Sequence, residues 1–559
     1  MTTIGSELRH AAIDWIAGDP CRADRDELKA ILAQAMAGND GAATDLAARL
    51  GAPLRFGTAG LRGPLRAGPS GMNLAVVRRA AAGIASYLVA TGQAGGTVVV
   101  GHDARHRSAE FAADAAGVLA TAGFTVLLAP GPLPTPATAF AVRELDAAAA
   151  LQVTASHNPP NDNGLKVYLA GGAQIVPPAD AEIEAAIAAA PAAVVIDATG
   201  VPQPWPDDLL ARYTTRVAAL PRGSARALKI AATPMHGVGG QTLMAALNQA
   251  GFVDVTLVAE QAEPDPDFPT VAFPNPEEPG ATDLLLALAA RIGADIAVAV
   301  DPDADRCAAG MPVDAANPGG AWRMLRGDET GALLGERVLA TLDRAAHPDP
   351  LVATTIVSSE LLKHIAAAHG ARYDETLTGF KWIVRAGDGA GTGLVYGYEE
   401  ALGHCVDPDF VRDKDGISAS TLMCDLAATL KESGRSLADA LDDLARAHGL
   451  HMTDQLSMRV EDLSVIAGAM ARLRSAPPAE LAGEAVTEVV DVLPRTDAVI
   501  LRTPHRRVVV RPSGTEPKLK CYLEVVARVS EGADMTQIRA AAAADLARLR
   551  AVMAAVLGI

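Results

Sequence analysis

Apolar residues recur at helical spacing over residues 1–50, with Leu28, Ile31 and Leu32 on one face, and predict helices leading into the body of the chain. From about residue 74 the pattern changes to alternation. LAVVRRAAAGIASYLVA reads as a helix, TVVVG (97–101) as a short buried strand, and SAEFAADAAGVLATAG as a second helix. TVLLA (125–129) and AAALQVTA (148–155) read as further strands, the last ending at Ser156. Short β-rich apolar runs separated by longer helical runs predict βαβ units, with functional loops at the carboxyl ends of strands.

The Pro-rich stretch VPQPWPDD (201–208) reads as a break, after which LKIAAT (228–233), a helix and VDVTLVAE restart the alternation. A Pro- and acid-rich loop, EPDPDFPTVAFPNPEEPG, separates these from ADIAVAV (294–300), a strand that delivers DPDADR. A third round begins near Gly327, with LVATTIVSS as a strand into a helix start and GLVYGYEE (393–400) ending a strand at two glutamates. From about residue 450, MTDQLSMRV, RVVVRPSG and LKCYLEVVA read as antiparallel strands before a final helix. The expected division is an N-terminal helical extension (1–50), three α/β regions (51–205, 206–325 and 326–450) and a different last region (451–559).

A chain of 559 residues is too long for one core. Half of it is hydrophobic and only 4% aromatic, so its interiors are built from Ala, Val and Leu. The net charge of −18 argues against a nucleic-acid partner, which demands a basic surface, and favours solubility. A phosphorylated metabolite remains compatible, because a few local Arg and Lys suffice. The five cysteines show no short metal spacing and read as free thiols in a reducing compartment. The first residues lack the apolar core of a signal peptide, and no long uncharged apolar run suggests a membrane span. A cytoplasmic protein is expected.

Three segments carry candidate chemistry. TASHNPPNDNGLK (154–166) presents Ser156 in a stiff polar loop beside His157, with Lys166 following. Adjacent side chains on an extended backbone point apart, so a hydrolase-type Ser–His base pair is not expected. The favoured reading is a serine that carries a phosphoryl group, with His157 as donor or orienting group; the alternative is a polar loop that only turns the chain. In DPDADR (301–306), alternation in an extended loop would aim Asp301, Asp303 and Asp305 at one hard cation, with Mg²⁺ the fitting ion, and Arg306 could bind the same phosphate. A solvated acidic turn, or an enzyme whose nucleophile is Asp301 itself, are the alternatives. In RPSGTEPK (511–518), Arg511, Ser513, Gly514 and Thr515 read as a phosphate nest to which Lys518 adds charge, or else as a simple hairpin turn. Glu399 and Glu400 suit sugar hydroxyls, or structural ion pairs. Lys381 in TGFKWI and Arg62 in GTAGLRG are cationic candidates for phosphate or sugar oxygens.

From GTAGLRG through TASHNPPNDNGLK, DPDADR and GYEEALGH to RPSGTEPK, these segments resemble the α-D-phosphohexomutase superfamily over about residues 50–530. FGTAGLRG, TGFKWI, EEALG and RPSGTEPKLKCYLE look like the branch holding bacterial phosphoglucomutases and phosphomannomutases and the phosphopentomutase-related enzymes. The resemblance implies an α/β fold of four domains around a central cleft: three related α/β domains with mixed sheets and a smaller C-terminal α+β domain. It implies that Ser156 is a phosphoserine and, with Asp301, Asp303 and Asp305, a ligand of Mg²⁺. Arg62 and Lys166 would assist proton movement and charge neutralisation. Lys381 and Glu399 would contact the sugar, and the Arg511 loop its non-reacting phosphate. The implied activity interconverts hexose 1-phosphate and hexose 6-phosphate, of glucose or mannose, through a phosphoserine and a sugar 1,6-bisphosphate. A base role for Lys166 would need its pKa lowered, for example by Arg62. One departure stands out: many hexose enzymes have serine two positions after the first glutamate of the sugar loop, where this chain has Ala401. That leaves a phosphopentomutase as the alternative, followed by a Mg²⁺-dependent sugar phosphatase. Oligomeric state is left open.

Overall fold

The computed structural model describes residues 4–57, 60–460, 462–513 and 518–558. The expected N-terminal helices are Ser6–Gly18, Arg22–Met36 and Asp40–Arg49. Leu28, Leu32 and Leu46 bury one face of them, together with Ala12, Ala35 and Ala67. No helix among the described residues is long and apolar enough to cross a membrane.

The chain divides into two compact units. One takes in the residues up to Met324 together with Gly403–Asp425; the other takes in Leu325–Leu402 and the residues from Leu426 onward.

Among the described residues, two sheets lie wholly within the first unit. The larger runs in the order Phe56–Gly57, Gly60–Pro64, Asp162–Leu169, Ala149–Val153, Thr97–His102, Thr125–Leu128 and Gln203–Pro204. Its centre is parallel, and every residue of Ala149–Val153 is buried, which explains why that run is apolar rather than alternating except at Gln152, whose side chain accepts from Thr138 Oγ1 and donates to Leu133 O. Helices Leu74–Ala90 and Ser108–Thr121 cover it through Val77, Ile84, Phe111 and Leu119. Asn73 starts the first of these by accepting from Val76 N at 3.0 Å. The Pro-rich stretch after residue 200 is not wholly a break: Gln203–Pro204 forms the outermost strand, a position where a missing N–H faces no partner. The second sheet runs Trp322–Met324, Cys307–Pro312, Ile296–Val300, Lys229–Thr233 and Asp254–Leu257, parallel through its last three strands.

In the second unit, Arg372–Thr376, Leu351–Thr355 and Leu394–Glu399 pair in parallel. The strands expected after residue 450 are antiparallel, in the order Leu450–Arg459, Lys518–Ala527, Arg506–Pro512, Val499–Arg502 and Glu488–Asp491. The final helix, Met535–Leu557, packs on them through Leu546, Leu549 and Met553. A helix over Leu463–Ser475 interrupts this strand-rich region, which the apolar runs alone did not indicate. The architecture is thus α/β for three domains and α+β for the last.

Candidate active site

Ser156 follows the central strand Ala149–Val153, and Asp301 follows Ile296–Val300, so each lies at the carboxyl end of a buried strand of the first unit. Ser156 Oγ donates to Asp301 Oδ2 at 2.6 Å. His157 Nδ1 lies 3.1 Å from the same Oγ. This corrects the expectation that the two side chains point apart. Ser156 has φ +52°, so the backbone turns there instead of running extended, and neighbouring side chains meet. Burial, with Arg306 and Arg62 adding to it, holds the His157 imidazole well below its ordinary pKa, and the ring is neutral at pH 7.

The Asp301–Arg306 loop is also a turn, with Ala304 at φ +56°, and not the extended loop the alternation suggests. The turn nevertheless gathers the three carboxylates, whose oxygens lie within 4.8 Å of one another. All three are buried. Lys166 Nζ, 1% exposed, donates to Asp303 Oδ2 at 2.7 Å and to Asp305 Oδ2 at 2.6 Å. Burial opposes charge on this lysine, but Asp303 and Asp305 overcome it, and the ammonium titrates above its ordinary value. A neutral Lys166 base with a lowered pKa is therefore corrected: Lys166 is a fixed cation, because two carboxylates and not Arg62 are its nearest charges.

Burial raises the Asp301 carboxyl well above its usual range, and Asp303 and Asp305 push the same way. Asp303 and Asp305 go down despite burial, held by Lys166. Oδ1 of Asp303 and Oδ1 of Asp305 are buried without a hydrogen-bond partner among the described residues. Hard oxygen donors with unused lone pairs, converging on one point, fit a divalent cation such as Mg²⁺.

Arg62 Nη1 donates to Asn158 Oδ1 at 3.2 Å; Arg62 pairs with Gly164 on the strand Asp162–Leu169, which also carries Lys166. Arg306 N donates to Asp301 Oδ1 at 3.0 Å, and its guanidinium pairs with Glu277 at 3.5 Å. Sequence reasoning missed Thr135, whose Oγ1 donates to Asp303, and Lys414, which pairs with Asp305 at 2.9 Å. Lys414 belongs to the DKDG segment, where a Cβ on Gly416 would stand 2.1 Å from Arg306 O, so the backbone there packs directly against the Asp301–Arg306 loop.

The remaining candidates lie in the second unit. Glu399 Oε1 accepts from Gly379 N at 2.8 Å and so ties the TGFKW turn, with Lys381, to the end of its strand. Glu400 accepts from Ser358 Oγ at 2.9 Å. Arg511 is the penultimate residue of the strand Arg506–Pro512, its Nε buried without a partner among the described residues. Ser513 N donates to Lys518 O at 2.7 Å, joining the two strands of that hairpin. Gly514 and Thr515 lie outside the described residues.

Two tests arise behind the glutamate loop. A Cβ at Gly327 would stand 1.8 Å from Glu400 O, so Gly327→Ala must displace that backbone. The expected result is a loss of about 2 kcal/mol or more in denaturant unfolding; unchanged stability would show that the loop yields freely. Asp328 Oδ1 accepts from Ser359 N at 2.8 Å and Tyr398 Oη at 3.0 Å. Burial pushes this carboxyl up to about 7. Its folded pKa exceeds the unfolded value of about 3.9, so its contribution is complete below pH 4 and lost as pH rises through 7. Asp328→Asn keeps the acceptor and removes the titration. Unfolding measured from pH 4 to 8 is expected to cost the wild type on the order of 3 kcal/mol that the variant retains; superimposable profiles would refute the assignment.

Comparison with known proteins gives the family. Four family models match in chain order: phosphoglucomutase/phosphomannomutase α/β/α domain I over residues 53–193, domain II over 211–312, domain III over 326–448 and the C-terminal domain over 469–544. A probable phosphomannomutase of Haemophilus influenzae is 41% identical over 476 residues, covering 83% of this chain and 95% of its own. A probable phosphoribomutase of Schizosaccharomyces pombe is 35% identical, covering 84% and 86%. A phosphoglucomutase of Staphylococcus aureus is 33% identical, covering 84% and 89%. The crystal structure of a putative phosphomannomutase from Thermus thermophilus superimposes with a TM-score of 0.69 at 27% identity, covering 89% of this chain and 99% of that one. With all four domains matched and relatives of this identity over most of its length, the chain belongs to the phosphoglucomutase/phosphomannomutase family.

Proposed function

We propose that this phosphomutase interconverts the 1- and 6-phosphates of a hexose, glucose or mannose, through a phosphoserine at Ser156. The observation that carries the reading is the contact of Ser156 Oγ with Asp301, one of three buried carboxylates held by a turn. Phospho-Ser156 would give its phosphoryl group to the free hydroxyl of the sugar monophosphate. The Oγ–P bond breaks, a sugar O–P bond forms, and the sugar becomes a bisphosphate. After the bisphosphate turns end for end, its other phosphoryl group returns to Ser156.

Asp301, Asp303 and Asp305 would hold Mg²⁺ with the serine oxygen. Bound there, the ion would supply Lewis-acid stabilisation of charge on the transferring oxygens. Lys166 and Lys414 pair with the carboxylates and offset their charge, while Arg62 and Arg306 offer N–H donors to a phosphate. Neutral His157, beside Oγ, is the group suited to receive a proton, which Lys166 in its raised state is not. Lys381 and Glu399 would receive the sugar, and Arg511, Ser513, Gly514, Thr515 and Lys518 its other phosphate.

A pentose phosphate is the second reading, favoured by Ala401 in the glutamate loop and by the fission-yeast relative named a probable phosphoribomutase. Glucose 1-phosphate, mannose 1-phosphate and ribose 1-phosphate, each with Mg²⁺ and a trace of hexose 1,6-bisphosphate, decide the matter. A 6-phosphate product with the highest kcat/KM on a hexose supports the first reading, and preference for ribose supports the second. Inorganic phosphate without isomer would reject both.

A further inference from the structure

Ser156 is held in a left-handed backbone conformation that is strained for an L-residue. What holds it is visible on both of its peptide groups. Arg105, 4% exposed, donates through Nη2 to the carbonyl oxygens of Ser156, at 2.6 Å, and Asn158. Its Nη1 donates to the carbonyls of Pro159 at 2.7 Å and Asp162 at 3.2 Å. One planar guanidinium therefore gathers four carbonyls of the serine loop, whose dipoles would otherwise repel one another and a phosphoryl group nearby. On the other side of the residue, Ser156 N donates to Thr154 Oγ1 at 2.8 Å.

The two grips converge on Asp103. Its Oδ2 accepts from Thr154 Oγ1 at 2.6 Å and lies 3.4 Å from Arg105 Nε. Its Oδ1 accepts from Arg105 N at 3.0 Å and Ser108 Oγ at 2.6 Å. Asp103, Arg105, Ser156 and Thr154 thus form a closed ring through the serine's own backbone. The Phe268 ring covers the guanidinium at 4.9 Å.

We propose that Arg105, anchored by Asp103, is the positioning residue of the serine loop. It keeps Ser156 in the turned conformation that aims Oγ at Asp301 and His157, and acts on phosphoryl transfer only through that aim. The proposal rests on reading Ser156 as the phosphoryl carrier. A lysine cannot replace it, because a single ammonium lacks the planar fork that reaches four carbonyls.

The test uses the full chain with Mg²⁺ and three variants: Arg105→Met, Arg105→Lys and Thr154→Val. Arg105→Met is expected to lower kcat about 100-fold, the scale set by misplacing a reacting atom by an ångström, while KM for the sugar phosphate changes less than about threefold. Arg105→Lys should recover no more than about a tenth of the wild-type kcat, and Thr154→Val, which cuts the other grip, should also lose kcat and not KM. Unchanged kcat, or a loss carried by KM, overturns the proposal. A crystal structure of Arg105→Met gives a readout independent of turnover: Ser156 is expected to leave positive φ, with Oγ out of hydrogen-bond reach of Asp301. Retention of φ near +52° with the Asp301 contact intact overturns the proposal even where activity falls. If Arg105→Met does not fold, the kinetics and structure of Thr154→Val decide by the same criteria. If the wild type shows no mutase activity, the functional reading fails, and the structural readout still decides the positioning role.

Discussion

Ser156→Ala is expected to lower phosphomutase turnover at least about 10⁴-fold, because the substitution removes the atom that would carry the phosphoryl group and nothing else in the loop replaces it. The hydroxyl touches Asp301 at 2.6 Å and His157 at 3.1 Å, so the variant loses both of these hydrogen bonds and creates no sizeable cavity. Stability should change by no more than about 1–2 kcal/mol, and the loss of turnover cannot then be assigned to unfolding. A second readout separates the serine from the carboxylates. Wild-type protein incubated with labelled hexose bisphosphate should retain label on the chain, and the variant should retain none. If the variant kept a tenth of wild-type turnover, or still took up label, the phosphoryl carrier would have to be another group, with Asp301 the first to test.

The alternation of short apolar runs with helical runs was legible because buried parallel strands are apolar on both faces. Ala149–Val153 and Ile296–Val300 announce themselves in this way, and the candidate site residues Ser156 and Asp301 follow their carboxyl ends. What the chain did not announce is how those ends are turned. An extended backbone was the natural expectation for residues 154–158 and 301–306, but Ser156 and Ala304 both take positive φ, which neither residue type advertises. The consequence is chemical: the turn at Ser156 brings His157 onto the hydroxyl. The helix Leu463–Ser475 and the edge strand Gln203–Pro204 were hidden for different reasons, one inside a strand-rich region and the other behind two prolines. Thr135, Lys414 and Arg105 were illegible because each reaches the loops from a distant part of the chain, and only tertiary packing reveals the pairing.

Lys166→Met carries the other large expected effect, on stability first. Lys166 is buried between Asp303 and Asp305, and its removal leaves two buried carboxylates with one fewer cation. Breaking a buried pair from one side costs about 3–5 kcal/mol, and that is the loss expected at pH 7 in metal-free buffer. The pH dependence gives the cause. The raised pKa of Lys166 makes its contribution complete below the unfolded lysine value of about 10.4, so all of it is present at pH 7. The lowered pKa values of Asp303 and Asp305 make theirs complete above about 3.9 and lost on acidification. Without the lysine these carboxyls would bind protons at higher pH, so the deficit should shrink as pH falls from 7 towards 4. Chelator and Mg²⁺ titrations supply the complement. A divalent ion bound at Oδ1 of Asp303 and Asp305 would restore positive charge to the same carboxylates, so Mg²⁺ should raise the variant's Tm more than the wild type's. A variant as stable as wild type at pH 7, with an equal response to Mg²⁺, would mean that Lys414 and the arginines already neutralise the triad. Loss of stability without the predicted recovery in acid would place the deficit in packing around the lysine stem and not in charge.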